Sequence, residues 1–313
     1  MGAERRQRWL ALRFPSATSL VLDDRKLRML AHIHGIAQPP QLPDNNASDA
    51  DQREFVLWVC QCLFRCAVDA VFTSESYGDG FARHLQAGFR RAFAPSHTVT
   101  HICLDQSRSA FAISGAQLRA NPRQINAWVL PFVNADLVQR VCILGGESSG
   151  KTTLALALSA ALQTAHVAEY GRELWTRQSG QLAYEDMLHI AQEQLTQEDS
   201  AASLAQQYIV CDTSPLVTLF YCLNQFGKAP QQLWALAAKR YAITLICAPD
   251  FDFVQDGTRQ DAAFRLHQHD WYLEALNQRD TRYTLVHGSV QARVAQALQA
   301  VQNRHENENF VYV

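Results

Sequence analysis

The sequence contains no apolar stretch that approaches the roughly 20 residues a helix needs to cross a bilayer. Its first eight residues, MGAERRQR, are charged and lack the apolar segment of a secretory signal. The Ser or Thr that N-myristoylation requires at position 6 is also missing, because Arg6 stands there. These absences predict a cytoplasmic protein that does not use a membrane as a partner.

Neither acidic nor basic residues are in large excess. The formal net charge is −2, which gives no overall attraction to nucleic acid, so no nucleic-acid partner is expected. Hydrophobic residues make up 48% of the chain and charged residues 19%, values typical of packed rather than disordered proteins. The length of 313 residues suits about two domains of ordinary size.

The usual CxxC spacing of a zinc site is absent, although the sequence holds eight cysteines. Cys60, Cys62 and Cys66 form the only cluster, and a metal site made of these three thiols would need a fourth ligand. Most other cysteines lie inside apolar runs, where a free thiol packs as a small hydrophobic group. We therefore expect reduced cysteines that serve packing, with a metal site at the cluster as the alternative.

Strands and helices alternate in both halves of the chain, which is typical of α/β proteins with parallel sheets. After an exposed loop at 36–52, the first half predicts helices over 55–66 and 80–93 and strands over 69–74 and 99–104. The second half predicts helices over 152–162 and 185–207 and five strands, over 141–144, 166–168, 208–212, 242–248 and 283–287. Residues 122–136 show no clean element, so we place the domain boundary near residue 137.

The clearest motif is Gly-Gly-Glu-Ser-Ser-Gly-Lys-Thr at 145–152, which satisfies the phosphate-binding pattern GxxxxGK[ST]. It follows an apolar strand and opens a helix, so backbone N–H groups and the positive end of the helix face the same anion. We expect Lys151 to reach the β- and γ-phosphates of ATP and the Thr152 hydroxyl to hold Mg²⁺. The residues assigned to ATP binding are Gly145, Gly146, Glu147, Ser148, Ser149, Gly150, Lys151, Thr152 and Thr153.

A P-loop kinase also needs an acid near the cradle, for the metal or for the attacking hydroxyl. Asp212 ends an apolar strand, at the edge of the sheet where ligands bind, and is predicted to be catalytic and to contact Mg²⁺. Its alternative role is to cap the helix that begins at Pro215. Arg259, after the fourth strand, is predicted to neutralise charge on the transferred phosphoryl group. For Arg265 this role and a solvated helix face are equal alternatives.

Four motifs together resemble the bifunctional NadR-type family, which combines nicotinamide-nucleotide adenylyltransferase and ribosylnicotinamide kinase activities. They are the cradle at 145–152, Glu-Tyr-Gly-Arg at 169–172, Cys-Asp-Thr at 211–213 and Asp-Gly-Thr-Arg at 256–259. The resemblance implies a three-layer P-loop kinase domain over 138–313 that transfers phosphate from ATP to the 5′-hydroxyl of nicotinamide riboside. It also implies that the nucleoside is bound by Glu169, Tyr170, Arg172, Phe253 and Asp256. Ser214 stands where the family often has a second acid.

Residues 1–137 resemble the family's Rossmann-like adenylyltransferase domain, from the middle of that domain onward. The matching stretches are 71–78 and 113–119, and the second implies a remnant phosphate site at Ser114, Gly115 and Arg119. The family's opening strand and its GxFxPxHxGH motif are absent, and the HIHG stretch at 32–35 is interpreted as a helix end. We therefore expect a truncated domain without adenylyltransferase activity, whose uncovered apolar edge favours a homo-oligomer.

Two alternatives to a kinase for nicotinamide riboside stay open. The first is a P-loop kinase or NTPase that acts on another nucleoside or coenzyme precursor. The second is a regulator that binds ATP and NAD-type ligands without turnover. The fold alone does not select among the three, because one fold hosts many activities.

Overall fold

The computed structural model describes residues 2–44, 46–114, 117, 127–257 and 259–309, with the backbone alone at 305–309. The chain divides into two compact units, Met1–Gln117 and Leu118–Val313. Across the described ranges, no helix is long and apolar enough to cross a membrane. All eight cysteines are free thiols. Cys60 is buried, Cys62 is half-buried and Cys66 is exposed, so the packing role predicted for this cluster holds for Cys60 and is wrong for Cys66.

The first unit packs helices on a pair of short parallel strands. Its elements are α1 (Ala3–Arg13), α2 (Asp24–Ile33), α3 (Asp49–Trp58), a π-helix (Val59–Phe64), β1 (Ala70–Thr73), α4 (Gly78–Ala92) and β2 (Thr100–Cys103). The end of α2 at Ile33 confirms the helix end predicted at 32–35. Phe72 of β1 lies beside Ile102 of β2, and both side chains are exposed. This apolar pair lies on a face of the two strands rather than at their edge, so the uncovered apolar edge and the homo-oligomer both stay predictions.

The second unit contains a parallel sheet between two layers of helices. Its strands are β3 (Gln139–Leu144), β4 (Ala165–Val167), β5 (Tyr208–Asp212), β6 (Ile243–Cys247) and β7 (Thr284–Val286). Its helices are α5 (Pro131–Leu137), α6 (Lys151–Ala161), α7 (Tyr170–Arg177), α8 (Tyr184–Leu204), α9 (Pro215–Phe226), α10 (Gln231–Ala237), α11 (Ala262–Gln278) and α12 (Val290–Asn309). The strand order is β4-β5-β3-β6-β7. The predicted α/β fold with a P-loop kinase sheet is confirmed.

Successive residues of a strand point to opposite faces of the sheet, and this alternation creates the two apolar layers. Val141 and Ile143 of β3 pack with Leu154 of α6 and with residues of α12. Cys142 and Leu144 pack on the other face with α8, α9, α10 and α11. Strands β5 and β6 are buried along their whole length. A strand covered on both faces needs apolar side chains throughout, which explains the continuous apolar runs in the sequence.

Helix α5 lies in the region around 122–136, where the sequence predicted no clean element. Its Asn134 is 1% exposed, and the side-chain amide donates to the carbonyl oxygens of Ala202 at 3.0 Å and Ala205 at 2.7 Å, at the end of α8. These bonds close the last turn of α8, whose carbonyl groups have no partner within the helix. The structure therefore groups α5 with the second unit, and the functional boundary predicted at residue 137 stays a prediction.

Candidate active site

The phosphate cradle lies where β3 ends, at the centre of the sheet. Its glycines are required by geometry, because Gly145 and Gly150 have φ angles of +148° and +80°. A Cβ atom at Gly146 would lie 2.5 Å from the carbonyl oxygen of Arg265, which no side chain can accommodate without moving the backbone. Helix α6 begins at Lys151, and its N-terminus carries no side-chain cap. Its positive end is therefore open toward the cradle.

The side chains of Lys151 and Ser148 in the cradle have defined contacts. Lys151 donates from Nζ to the carbonyl oxygen of Gly146 at 3.0 Å, which holds the ammonium group over the loop. The hydroxyl of Ser148 accepts a hydrogen bond from the backbone N–H of Val254 at 2.9 Å. Ser149 is fully buried. Thr152 and Thr153 are exposed on the first turn of α6, where their side chains are accessible to a ligand.

Glu147 makes contacts that the sequence did not predict. Its Oε1 atom accepts from the hydroxyl of Tyr221 at 2.9 Å, and its Oε2 atom accepts from the backbone N–H of Gln260 at 2.7 Å. Its own N–H donates to Oε1 of Gln268 at 2.7 Å. In this arrangement both the carboxylate and the amide of Glu147 are used by protein groups rather than presented to phosphate.

Arg293, which no sequence motif predicted, binds the backbone of the cradle. Its guanidinium group is buried and donates to the carbonyl oxygens of Ser149 at 2.6 Å and Ala248 at 2.9 Å. It also forms an ion pair with Asp250 and lies 5.1 Å from the centre of the Phe251 ring. A single arginine near the start of α12 carries no motif, so no local signal in the sequence identifies it.

Asp212 lies beside the cradle, because it pairs with Ile143 across β5 and β3. The side chain is 2% exposed, and its Oδ1 atom has no hydrogen-bond partner within the described chain. The alternative role of Asp212 as a helix cap is wrong, because Ser214 is the N-cap of α9 and accepts from the N–H of Leu216 at 3.3 Å. Thr213 has a φ angle of 108°, a strained conformation of the kind found at functional sites.

Glu169 lies within electrostatic reach of the cradle. Burial raises the pKa of this carboxyl group above its usual value of 4.5, Lys151 opposes the increase and Asp212 adds to it. Its Oε2 atom lies 3.6 Å from Nε of Arg172. The three groups predicted from separate motifs, Lys151, Glu169 and Asp212, are therefore brought together at the carboxyl edge of the sheet.

A cavity of about 530 Å³ extends from this cluster. Its volume lies in the range of small-molecule sites. Among the lining residues, those that belong to motifs found in the sequence are Gly145, Glu147, Lys151, Glu169, Gly171, Arg172, Thr213 and Arg259. Other residues of the wall carry no motif and were not predicted, among them Trp175, Gln194, Tyr221, Gln268 and Tyr272.

Asp256, in the segment after β6, lies between Arg259 of the same segment and Arg172 of α7. Asp256 lies 3.0 Å from Nη2 of Arg259 and 3.7 Å from Nη1 of Arg172. Asp256 is not part of the cavity lining, but both of its arginine partners are. Arg265 is 7% exposed and donates to the carbonyl oxygen of Phe251 at 2.8 Å, so its predicted alternative as a solvated helix residue is wrong.

Tyr170 and Phe253, also predicted to bind the nucleoside, are not among the residues that line the cavity. Tyr170 is buried in a small core with Leu174 and Ile190. Phe253 packs against the guanidinium group of Arg265, with 5.6 Å from Cζ to the ring centre. In the first unit, the hydroxyl of Ser114 accepts from the N–H of Gln117 at 3.1 Å. The other two residues of the remnant phosphate site, Gly115 and Arg119, lie outside the described residues.

The oxygen donors near the cradle fit Mg²⁺. This ion prefers hydroxyl and carboxylate oxygens and is often held by one or two side chains together with substrate phosphates. Thr152 offers a hydroxyl, and the buried Oδ1 atom of Asp212 is without a protein partner in the described residues. No group of three or more His, Cys, Asp or Glu residues in those ranges is arranged to hold a metal by itself. The donor set therefore suits a metal that arrives with a nucleotide.

Known proteins resemble this chain in sequence. A family profile described as AAA domain matches residues 140–293. The trifunctional NAD biosynthesis/regulator protein NadR of Escherichia coli is 31% identical over 166 residues, which is 51% of this chain and 40% of that protein. The protein of the same description from Salmonella typhimurium has the same identity and coverage. The chain thus spans 40% of the length of these curated relatives.

Solved structures resemble the chain over a longer range. One is described as NadR protein in complex with NAD and AMP-PNP, and another as NadR protein in complex with NR. Each has a TM-score of 0.59 at 16% sequence identity and covers 90% of this chain and 82% of its own chain. At this identity the likeness establishes a shared fold, and the ligands belong to those proteins.

Proposed function

Because the chain belongs to the NadR-type family, we propose that it transfers the γ-phosphoryl group of ATP to the 5′-hydroxyl of nicotinamide riboside. The bond between the γ-phosphorus and the bridging oxygen breaks, and a bond to the 5′-oxygen forms. The products are ADP and nicotinamide mononucleotide, in a step of NAD biosynthesis or salvage. Free thiols fit a reducing compartment, so the proposal includes a cytoplasmic location.

The observation that carries the proposal is that the phosphate cradle and the cavity share residues. Gly145, Glu147 and Lys151 belong to the cradle and also line the cavity of about 530 Å³. An enzyme that only hydrolyses ATP needs no such space beside the γ-phosphate, whereas a kinase must hold an acceptor there and exclude water. A cradle that opens into a small-molecule cavity therefore favours phosphoryl transfer to a bound acceptor.

The proposed roles on the ATP side follow from the contacts. Lys151 exchanges the carbonyl oxygen of Gly146 for the β- and γ-phosphates. Arg259, which Asp256 holds at 3.0 Å, neutralises charge on the transferred group. Thr152 and Asp212 would hold Mg²⁺, which when bound neutralises the phosphates.

On the acceptor side, Glu169 and Arg172 line the cavity next to the cradle. We propose that the Glu169 carboxylate accepts a hydrogen bond from a ribose hydroxyl. Asp256 acts through Arg172 and Arg259, because it contacts both. Glu169 and Arg172 are thus the nucleoside-binding residues implied by the resemblance that line the cavity themselves.

Product analysis tests the proposal directly. The protein is incubated with ATP, Mg²⁺ and a panel of nucleosides that includes nicotinamide riboside, and the phosphorylated products are identified by mass spectrometry. Nicotinamide mononucleotide is the expected main product. Preferred phosphorylation of another nucleoside would refute the substrate, and ATP binding without any transfer would favour a sensor.

The Lys151→Ala variant links the product to the cradle. Loss of one donor to the transition state typically lowers kcat by about 10²- to 10³-fold, and the melting temperature without ATP should barely change. Lys228→Ala is the matched control, because Lys228 is an exposed lysine whose ammonium group lies 5.0 Å from the centre of the Tyr184 ring and is not part of the cavity wall. Near-normal turnover by Lys151→Ala would remove the cradle from the mechanism.

A further inference from the structure

Three polar atoms in the cavity wall are buried without a hydrogen-bond partner among the described residues. They are Nε2 of Gln194, Oγ1 of Thr213 and Oη of Tyr272, and all three residues line the cavity. Their exposed fractions are 1%, 4% and 0%. A buried polar group without a partner costs free energy, so a wall of this kind is completed by a ligand with polar groups.

Gln194 is the most informative of the three because its orientation is fixed. Its Oε1 atom accepts a hydrogen bond from the backbone N–H of Tyr170 at 2.9 Å. An amide can offer either its oxygen or its nitrogen on a given side, and the N–H of Tyr170 requires the oxygen. The NH₂ group of Gln194, a residue of the cavity wall, therefore has no partner among the described residues and can only donate.

The position of Gln194 identifies the part of the ligand it faces. Tyr170, to which it is bonded, follows Glu169 directly in the chain. Glu169 interacts electrostatically with Lys151 and Asp212, so this stretch of wall lies at the cradle end of the cavity. In a nucleoside whose 5′-hydroxyl faces the γ-phosphate, the ribose occupies this end and the base lies farther away.

We propose that Gln194 is a specificity-determining residue that recognises the vicinal diol of the ribose. A ribose has two neighbouring hydroxyl groups, and each can donate and accept. One of them donates to the carboxylate of Glu169, and the other accepts from the NH₂ group of Gln194. This inference rests on the proposed function, since it assumes that the acceptor is a ribonucleoside.

The test compares three acceptors, nicotinamide riboside and its 2′-deoxy and 3′-deoxy analogues, by kcat/KM and by equilibrium binding in calorimetry. The variant Gln194→Leu removes the donor. The variant Gln194→Glu also removes it but keeps an oxygen for the N–H of Tyr170. Gln192→Leu is the matched control, because Gln192 lies on the same helix with an exposed side chain.

Wild type and Gln192→Leu are expected to prefer the riboside over one deoxy analogue by about 10- to 100-fold, the typical value of one hydrogen bond to a buried donor. In both Gln194 variants, kcat/KM for the riboside should fall by this factor of about 10- to 100-fold, while kcat/KM for the same deoxy analogue stays unchanged. The ratio of the two kcat/KM values then falls toward one. This change in a ratio distinguishes recognition from a general loss of structure, which lowers all three values together.

Several results would overturn the inference. The inference is refuted if wild type does not discriminate among the three acceptors. It is also refuted if the Gln194 variants keep the wild-type discrimination or lose activity on all three acceptors equally. The binding measurements separate this test from that of the proposed function. Phosphorylation of a different ribonucleoside would refute the proposed substrate, and the same ratio is then measured with that nucleoside and its deoxy forms. If no riboside binds, both proposals fail.

Discussion

Replacing Asp212 by Asn tests the catalytic role proposed for this residue, because the substitution removes the charge and keeps the shape. The side chain is 2% exposed, and its Oδ1 atom has no hydrogen-bond partner in the described chain. The charge of Asp212 also raises the pKa of Glu169, in addition to the larger effect of burial. Removing the charge therefore relieves repulsion between two carboxylates. We expect the free energy of unfolding to fall by less than about 1 kcal/mol or to rise.

Turnover, unlike stability, should fall strongly in Asp212→Asn. If Asp212 holds the metal or meets the attacking hydroxyl, Asp212→Asn should lower kcat by about 10²- to 10³-fold, the usual cost of one preorganised group that acts in the transition state. The KM for ATP should change less, because the backbone and Lys151 hold the phosphates. Steady-state kinetics with nicotinamide riboside and a thermal melt of the same preparation measure both quantities.

Ser214→Ala is the matched comparison, because Ser214 carries the capping role that Asp212 does not. Loss of its bond to the N–H of Leu216 should cost about 1 kcal/mol. That corresponds to about 2–4 °C in Tm for a unit of this size, with kcat retained. Asp212→Asn with reduced Tm and intact kcat would refute the catalytic assignment. A large loss of kcat in Ser214→Ala would mean that Ser214 takes part in catalysis.

Three further predictions concern pH, a buried ion pair and the first unit. Burial raises the pKa of Glu169 above its usual value of 4.5. Because the proposed role has the ionised carboxylate accept a hydrogen bond from ribose, kcat/KM should fall on acidification, beginning at a pH above 4.5. Glu169→Gln should flatten this acid limb of the pH profile. An unchanged limb would contradict the assignment. Glu198 is 0% exposed and accepts from Lys239 and Tyr241, both at 2.8 Å, so Glu198→Ala should lower the free energy of unfolding by about 3 kcal/mol in a denaturant titration; a loss below about 1 kcal/mol would refute this. A protein of this sequence supplied with ATP and nicotinamide mononucleotide should yield no NAD by chromatography, because the GxFxPxHxGH motif is absent; NAD at a rate comparable to the kinase product would disprove it.

The sequence predicted the elements whose identity is decided locally. Strand β5 was predicted with its observed bounds, because a short apolar run that contains Ile209 and Val210 and ends in Asp212 favours a buried strand over a helix. Helix α5 was missed for the opposite reason. It has seven residues with no clear period, and its stability comes from the bonds of Asn134 to the end of α8. Such contacts join residues far apart in the chain and leave no local pattern.

The candidate site likewise contains residues that the sequence predicted and residues that it did not. The cradle was predicted because its glycines and Lys151 must occur at fixed spacing to wrap a phosphate. Gln194 and Tyr272 were not predicted, because they lie on α8 and α11 and meet only when both helices pack on the same face of the sheet. A glutamine within a polar helix has the same local sequence pattern whether it faces solvent or a cavity. Arg293 was missed for a similar reason.

Glu147 connects the predicted and the unpredicted parts of the site. An acid within a phosphate cradle is unfavourable by charge alone, since it repels the ligand that the cradle binds. Here its two carboxylate oxygens accept from the hydroxyl of Tyr221 and the N–H of Gln260, so two donors partly offset the charge. Tyr221 belongs to the cavity wall, and Gln260 ends the segment that holds Arg259. One carboxylate therefore fixes the cradle, the wall and the arginine-bearing segment relative to one another. A neutral amide could accept only one of these two bonds, which gives a physical reason for an acid at this position.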